Sequence, residues 1–176
     1  MDSSSTVQRE QFQRQKNFIK SLAEYLQVGS SDKTKAAVIN YGSVPSGIIT
    51  FDDYTNIRGF KSGIDGIIPV RGSRRIDQAL GEAAVILRGI DQSSKKILVL
   101  LTAGQQAKES DVTTLDVAIR PIRDMKSHMY VVALGNDPST PELRPLVTKL
   151  EDMFRVPFNF MERIVPSIVD HIRKGI

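Results

Sequence analysis

Apolar residues recur along the chain with two periods, and the switches between them mark the elements. Between residues 9 and 27, Phe12, Ile19, Leu22 and Leu26 fall at helical spacing, and Phe18 and Tyr25 widen the stripe. An amphipathic helix with one buried face is predicted, ended by Gly29. After the polar run from Ser30 to Thr34, the short apolar segments 35–42 (KAAVINYG) and 47–51 (GIITF) flank Pro45 and read as a hairpin. Helical spacing returns weakly from Asp53 to Ile67, where three glycines lower the propensity, and strongly from Ile76 to Ile90. The loop PVRGSRR lies between them. Residues 96–102 (KILVLLT) are almost continuously apolar, as in a central strand covered on both faces by helices. A polar segment, Gly104 to Thr114, precedes a helix over 115–125 in which Pro121 predicts a kink. MYVVALG (129–135) reads as a second buried strand, followed by a turn at Asn136, Asp137 and Pro138 and a short helix near 141–150. MFRVPF (153–158) is a short strand that Pro157 assigns to an edge or an end. Ile164, Val165, Ile168, Val169 and Ile172 form the stripe of a closing helix.

Strands alternating with helices predict an α/β fold, an open and mostly parallel sheet with helices on both faces. Ligands of such sheets bind beyond the carboxyl ends of central strands. Two segments hold that position: residues 2–6, before the first helix, and Thr102-Ala103-Gly104.

Composition narrows the function. With 176 residues, 40% hydrophobic and 25% charged, the chain reads as a single domain, 1–176, able to bury a substantial core. The absence of cysteine excludes disulfides, cysteine-ligated zinc and thiol catalysis, and leaves the compartment open. A net charge of +4, no tryptophan and 6% aromatics argue against a nucleic-acid binder. No apolar run approaches the ~20 residues of a membrane span, so membrane insertion is not expected. Neither a phosphate-binding nor a dinucleotide-binding glycine motif occurs. His128 and His171 lack ligand spacing, and the acid pairs Asp52-Asp53 and Glu151-Asp152 sit on turns as helix caps, so no catalytic group stands out.

The remaining chemistry lies in DSSST. Asp2, Ser4 and Thr6 alternate ahead of a long helix, and oxygen side chains at such spacing can converge on one hard cation; a plain helix N-cap made by Ser5 or Thr6 is the alternative. The order of DSSST, FQRQKNFIKSLA, AAVINYG, RGSRRIDQAL, KILVLLTAGQ, YVVALG and IVPSIVDHIRKGI resembles the von Willebrand factor type A domain over nearly the whole chain. The resemblance implies a Rossmann-like sheet flanked by helices and a metal-ion-dependent adhesion site. That site consists of D-x-S-x-S, a threonine from a later loop and an aspartate after a central strand, with a ligand carboxylate completing the cation's shell. It implies binding, not catalysis.

Carried over by residue, Asp2, Ser4 and Thr6 fill the first motif, Thr6 keeping the hydroxyl of its last serine. Ser73 supplies the later hydroxyl if the loop is one residue longer; an ungapped register places Arg74 there. Ala103 stands at the aspartate. One acid fewer, and a guanidinium nearby, predict a degenerate site at which magnesium or manganese binds weakly or not at all. Arg71, Arg74 and Arg75 are then either a solvated loop or ligand-binding residues pairing with carboxylate or sulfate groups.

The closing helix resembles matrix-type members, although Arg173 stands where many secreted ones carry cysteine. The resemblance thus implies an extracellular, secreted adhesion module with matrix partners, including collagen-like proteins and acidic or sulfated ligands. Two other roles are open, a structural assembly domain with an inert face and an intracellular member of a multiprotein complex. The family's first central strand has no counterpart ahead of Asp2, so an N-terminally truncated domain is expected, because an empty slot would expose ladder groups and apolar side chains.

Overall fold

A computed structural model describes residues 1–29, 34–135 and 141–174. Helix α1 (Arg9–Tyr25) buries Phe12, Phe18 and Leu22, and its first turn is closed by Gln8, whose N–H donates to Gln11 Oε1 at 2.9 Å. The cap is therefore neither Ser5 nor Thr6. Strands β1 (Val38–Tyr41) and β2 (Pro45–Ile49) form the expected antiparallel hairpin, with a bulge between Val38 and Asn40. Helix α2 (Ile57–Gly66) starts later than the apolar spacing suggested, because the Asn56 side chain caps it by accepting the Gly59 N–H at 2.9 Å. Helix α3 runs over Ile76–Arg88.

Strands β3 (Ile97–Thr102), β4 (His128–Leu134) and β5 (Met153–Val156) make a parallel sheet in the order β3-β4-β5. The helix expected over 115–125 is divided into α4 (Leu115–Ala118) and α5 (Arg120–Asp124), as Pro121 foretold. The short helix expected near 141–150 is reduced to 3-10 turns at Arg144–Leu146 and Leu150–Asp152, where Pro145 removes a backbone donor. The turn expected at 136–138 lies outside the described residues. A 3-10 turn, Phe158–Ile164, leads into α6 (Val165–Lys174).

Strand β4 explains why both faces of the sheet are covered. Met129, Val131 and Ala133 face one way and pack with Ile76, Leu80 and Leu87 of α3 and Ile119 and Ile122 near α5. Tyr130, Val132 and Leu134 face the other way, onto Phe18 and Leu22 of α1 and Ile168 and Ile172 of α6. The period of two along one strand thus feeds two cores. A third cluster joins α1, α2 and the hairpin around Phe12, Phe60 and Ile64.

Strand β3 differs from expectation. It is an edge of the three-stranded sheet, not a central strand, and the hairpin forms a separate two-stranded sheet. Between them, among the described residues, only Met1–Ser3 lie in strand register: Asp2 bridges Tyr41 in the parallel sense, Tyr41 N–H donates to the Met1 carbonyl, and Ser3 N–H donates to the Tyr41 carbonyl. The open flank shows in the burial of β3, whose residues Ile97, Leu98 and Val99 are half-buried although apolar.

The α-amino group of Met1 is buried and donates to the Ile39 carbonyl at 2.8 Å. Burial pulls its pKa from 8.0 down to about 5, opposed by the Asp2 charge. Unfolding therefore takes up a proton between those values, and the stability of this chain rises with pH from about 5 to 8. A urea titration across that window should show a gain on the order of a few kcal/mol, and acetylation of the Met1 amine should flatten it.

Candidate functional site

The loops at the carboxyl ends of β1 and β3 meet at Asp2. Its carboxylate is wholly buried. Oδ1 accepts the Ser4 N–H at 3.0 Å, and Oδ2 accepts the Ala103 N–H at 2.8 Å and the Arg74 Nε–H at 2.7 Å. Gln15 of α1 holds the backbone of Asp2 from behind, its Oε1 accepting the Asp2 N–H at 2.9 Å and its Nε2 donating to the Asp2 carbonyl at 2.8 Å. These contacts fix one carboxylate at the junction of three segments.

Arg74 occupies the space in front of it. Besides Asp2, its guanidinium donates from Nη1 to the Gln105 carbonyl at 3.0 Å and from Nη2 to the Thr6 hydroxyl. Ser4 Oγ lies 3.4 Å from Thr6 Oγ1. Only 11% of the Arg74 side chain is exposed. Gly104 makes the approach possible, since a Cβ there would sit 3.0 Å from Arg74 Nη1. Of the expected oxygen donors, Asp2, Ser4 and Thr6 are therefore together, but Asp2 and Thr6 are bonded to a guanidinium. A fixed positive charge 2.7 Å from Asp2 Oδ2 fills the place of a cation and would repel one. In this arrangement the residues do not fit a divalent metal.

Ser73 points elsewhere, bonding Glu109. Arg74, not Ser73, is the residue of this loop that reaches Asp2, and Ala103 contributes its N–H alone. Arg71 adopts a positive φ of 70° and donates from Nη1 to the Val7 carbonyl at 2.8 Å, while its backbone bonds Ser3 and Ser43. Gly42 is required beside it, because a Cβ there would lie 2.0 Å from the Arg71 carbonyl oxygen. Arg71 thus clamps the loops and keeps an exposed side. Arg75 is turned inward and buried. It forms a fork with Asp77, Nε to Oδ1 at 3.0 Å and Nη2 to Oδ2 at 2.9 Å, and reaches Asp111 Oδ2 at 2.8 Å. Those bonds to Asp77 and Asp111 raise its pKa further above the ordinary guanidinium value.

Gln15 and Tyr41 were not singled out from the sequence. Gln15 carried a signal, since it lies on the Phe12–Ile19–Leu22 stripe of α1, where a polar residue needs a buried partner. Tyr41 donates its hydroxyl across the open flank to the Leu101 carbonyl at 3.0 Å. Burial, and then the Asp2 charge, push its pKa well up, so it remains a neutral donor.

Comparison with known proteins bears on the family and the fold. The sequence profile of the von Willebrand factor type A domain matches residues 1–163. The chain is 24% identical over 140 residues to von Willebrand factor A domain-containing protein 2 of Xenopus laevis, covering 77% of this chain and 17% of that protein. It is 24% identical over 155 residues to the collagen alpha-1(VI) chain of Mus musculus, covering 84% of this chain and 15% of that protein. The chain thus spans about a sixth of the length of these relatives. In fold it superposes on proximal thread matrix protein 1 of the mussel byssus, solved with a zinc-occupied MIDAS motif. The TM-score is 0.85 at 16% identity, over 97% of this chain and 46% of that one. Among the described residues no helix is long and apolar enough to cross a membrane. With the profile matched from Met1 to Arg163 and the loops converging on Asp2 as the motif requires, the chain belongs to the von Willebrand factor type A domain family.

Proposed function

We propose that this chain is a non-catalytic protein-binding module of an extracellular matrix or adhesion protein, which works without a divalent cation. The observation that carries the reading is the Arg74 guanidinium seated on Asp2, Thr6 and the Gln105 carbonyl. In the family's site a cation bridges the protein's oxygens to a ligand's carboxylate; here an internal cation already neutralises Asp2. Three of the five guanidinium N–H groups serve these contacts, which leaves two for an acidic or sulfated group on a partner. The matrix assignment draws on the collagen VI and byssus relatives, and collagen-like proteins are the partner class we favour.

The test is retention on a collagen-like triple-helical peptide and on heparin, measured in EDTA and then in millimolar magnesium or manganese. Equal retention in both conditions is expected. Retention that appears only with the cation would overturn the reading.

A second reading is favoured by Ala103 and by the internal satisfaction of Arg74, namely an assembly domain whose loop face is inert. It predicts no retention on either probe, and no change in any matrix binding when Ser4 and Thr6 are both replaced by alanine. Thermal unfolding separates metal from ligand. A cation bound only by the native state at a hundredfold excess over its dissociation constant would add about 2.7 kcal/mol, a rise of several degrees. We expect the midpoint to be the same in EDTA and in millimolar magnesium or manganese.

A further inference from the structure

The face of the sheet covered by α3 is also covered by α5 and the 3-10 turn Arg144–Leu146, which bury Ile122, Leu143 and Leu146 in one core. Outside that core the same two segments are basic. Arg120, Arg123 and Lys126 recur at every third residue along α5 and just beyond it, all exposed, and Arg144 and Lys149 are exposed on the neighbouring stretch of chain. Helix α5 leads into β4, so this row runs toward the amino end of the sheet, away from Asp2 and the loops at the carboxyl ends. Two of the guanidiniums converge. Arg123 donates from Nη2 to the Pro145 carbonyl, and Arg144 donates from Nη1 to the Val147 carbonyl at 2.8 Å, so both are fixed on one tight turn. Both acceptors are neutral, and among the described residues neither arginine has a carboxylate in ion-pair contact. Arg120 faces Asp116 at 3.8 Å and Lys149 faces Glu151 at 3.4 Å, with all four side chains more than half exposed. Asp124 and Glu142 lie in the same segments and bond none of the five basic groups. Like charges held side by side repel, and an anion placed between them relieves that repulsion.

We infer that this strip binds a sulfated polysaccharide, with Arg123 and Arg144 at its centre. A row of single charges spread along one face matches a linear polyanion and not one small anion. Sulfate oxygens accept the parallel N–H pairs that a guanidinium presents, and after its one carbonyl bond each of the two arginines keeps four of five N–H groups for them. Nucleic acid is also a linear polyanion, but its binding surfaces carry aromatic rings on which bases stack, and residues 115–127 and 141–150 contain no aromatic residue. The strip is separate from the Arg74 site, so a partner held by the loops around Asp2 and a polysaccharide held here would not compete for the same groups.

The chain is titrated with heparin and with heparin stripped of its sulfates, over a range of salt concentrations. Heparin should bind, and loss of the sulfates should weaken binding by on the order of tenfold or more. Arg123→Ala combined with Arg144→Ala should weaken heparin binding by a similar factor. It should also lower the slope of log affinity against log salt by about two, because each lost contact releases about one counterion fewer. Retention on a triple-helical collagen-like peptide should be unchanged in that variant. Arg120→Ala combined with Lys126→Ala leaves both carbonyl bonds of the turn in place, and should weaken heparin binding in the same direction without moving the unfolding midpoint, which tells lost charge from lost fold. Heparin binding that both double variants retain in full, with an unaltered salt slope, would belong to the loops around Asp2; it would overturn the inference and leave the binding role proposed above intact. Equal binding of the desulfated polymer, or tighter binding of oligo(dT), would overturn the sulfated polysaccharide in favour of a carboxylated or a phosphodiester polyanion.

Discussion

Replacing Arg74 by alanine is expected to destabilise the fold by about 3 kcal/mol, a fall of roughly 6–12 °C in the unfolding midpoint for a domain of this size. Asp2 is wholly buried and its Oδ2 faces the guanidinium at 2.7 Å. Without that partner a carboxylate remains in a site with two N–H donors, from Ser4 and Ala103, and no compensating charge. The cost falls at the lower end of what breaking buried pairs incurs, because water can enter from the 11% of Arg74 that is exposed. Arg74→Lys should recover only part of the loss, since an ammonium cannot reach Asp2, Thr6 and Gln105 with one planar fork. Combining Arg74→Ala with Ala103→Asp removes the internal cation and returns a second acid. Millimolar magnesium or manganese should then raise the midpoint of the double variant and leave that of the unaltered chain unchanged. Thermal unfolding of the four proteins with and without EDTA decides both points, and an Arg74→Ala variant as stable as the parent would show that the guanidinium does not neutralise Asp2.

Asp77→Ala is expected to cost a comparable amount, about 3–5 kcal/mol, for a different structural reason. Asp77 lies in the first turn of α3, accepts the fork of the buried Arg75 and takes the Thr113 N–H at 3.1 Å, so it ties α3 to the loop over 104–114. Gln106 completes the tie, accepting the Asp77 N–H at 2.7 Å and donating to the Thr113 carbonyl at 2.7 Å. Burial pushes the Asp77 carboxyl up, but the Arg75 bonds and the N–H groups of Thr113 and Gln78 outweigh it and hold the pKa below 3.8. A carboxyl lowered by folding stabilises the native state above its unfolded pKa and loses that contribution as pH falls through its native value. Acid unfolding below pH 3.8 should therefore be less steep in Asp77→Asn than in the parent. Urea midpoints measured from neutral pH down to the acid limb test this, and identical slopes would remove Asp77 from the account.

The two arginines at adjacent positions have opposite fates, and the reason was not visible in their spacing. Arg75 sits at the entrance to α3 and turns toward Asp77 two residues on and Asp111 across the loop, whereas Arg74 turns toward Asp2, 72 positions away. A local partner such as Asp77 can be anticipated from sequence, but contacts spanning 36 or 72 residues require the sheet to bring loops together. Ser73 shows the same limit, because its hydroxyl goes to Glu109 in the polar segment that carried no pattern at all.

The periods of the chain by themselves determined the order and type of nearly every element, since a stripe at helical spacing or a continuous apolar run must be buried wherever it lies. They also determined the family, through blocks in a set order, and the presence of Asp2, Ser4 and Thr6 with no acid at 103. Tertiary structure alone decided what those groups contact. It brought a guanidinium onto the buried carboxylate, so that the positive charge beside Asp2 belongs to the chain itself. It also showed β3, written as a central strand, standing at the edge of an apolar slot, because a sequence specifies how apolar a strand's two faces are but not which neighbour fills the position beside it.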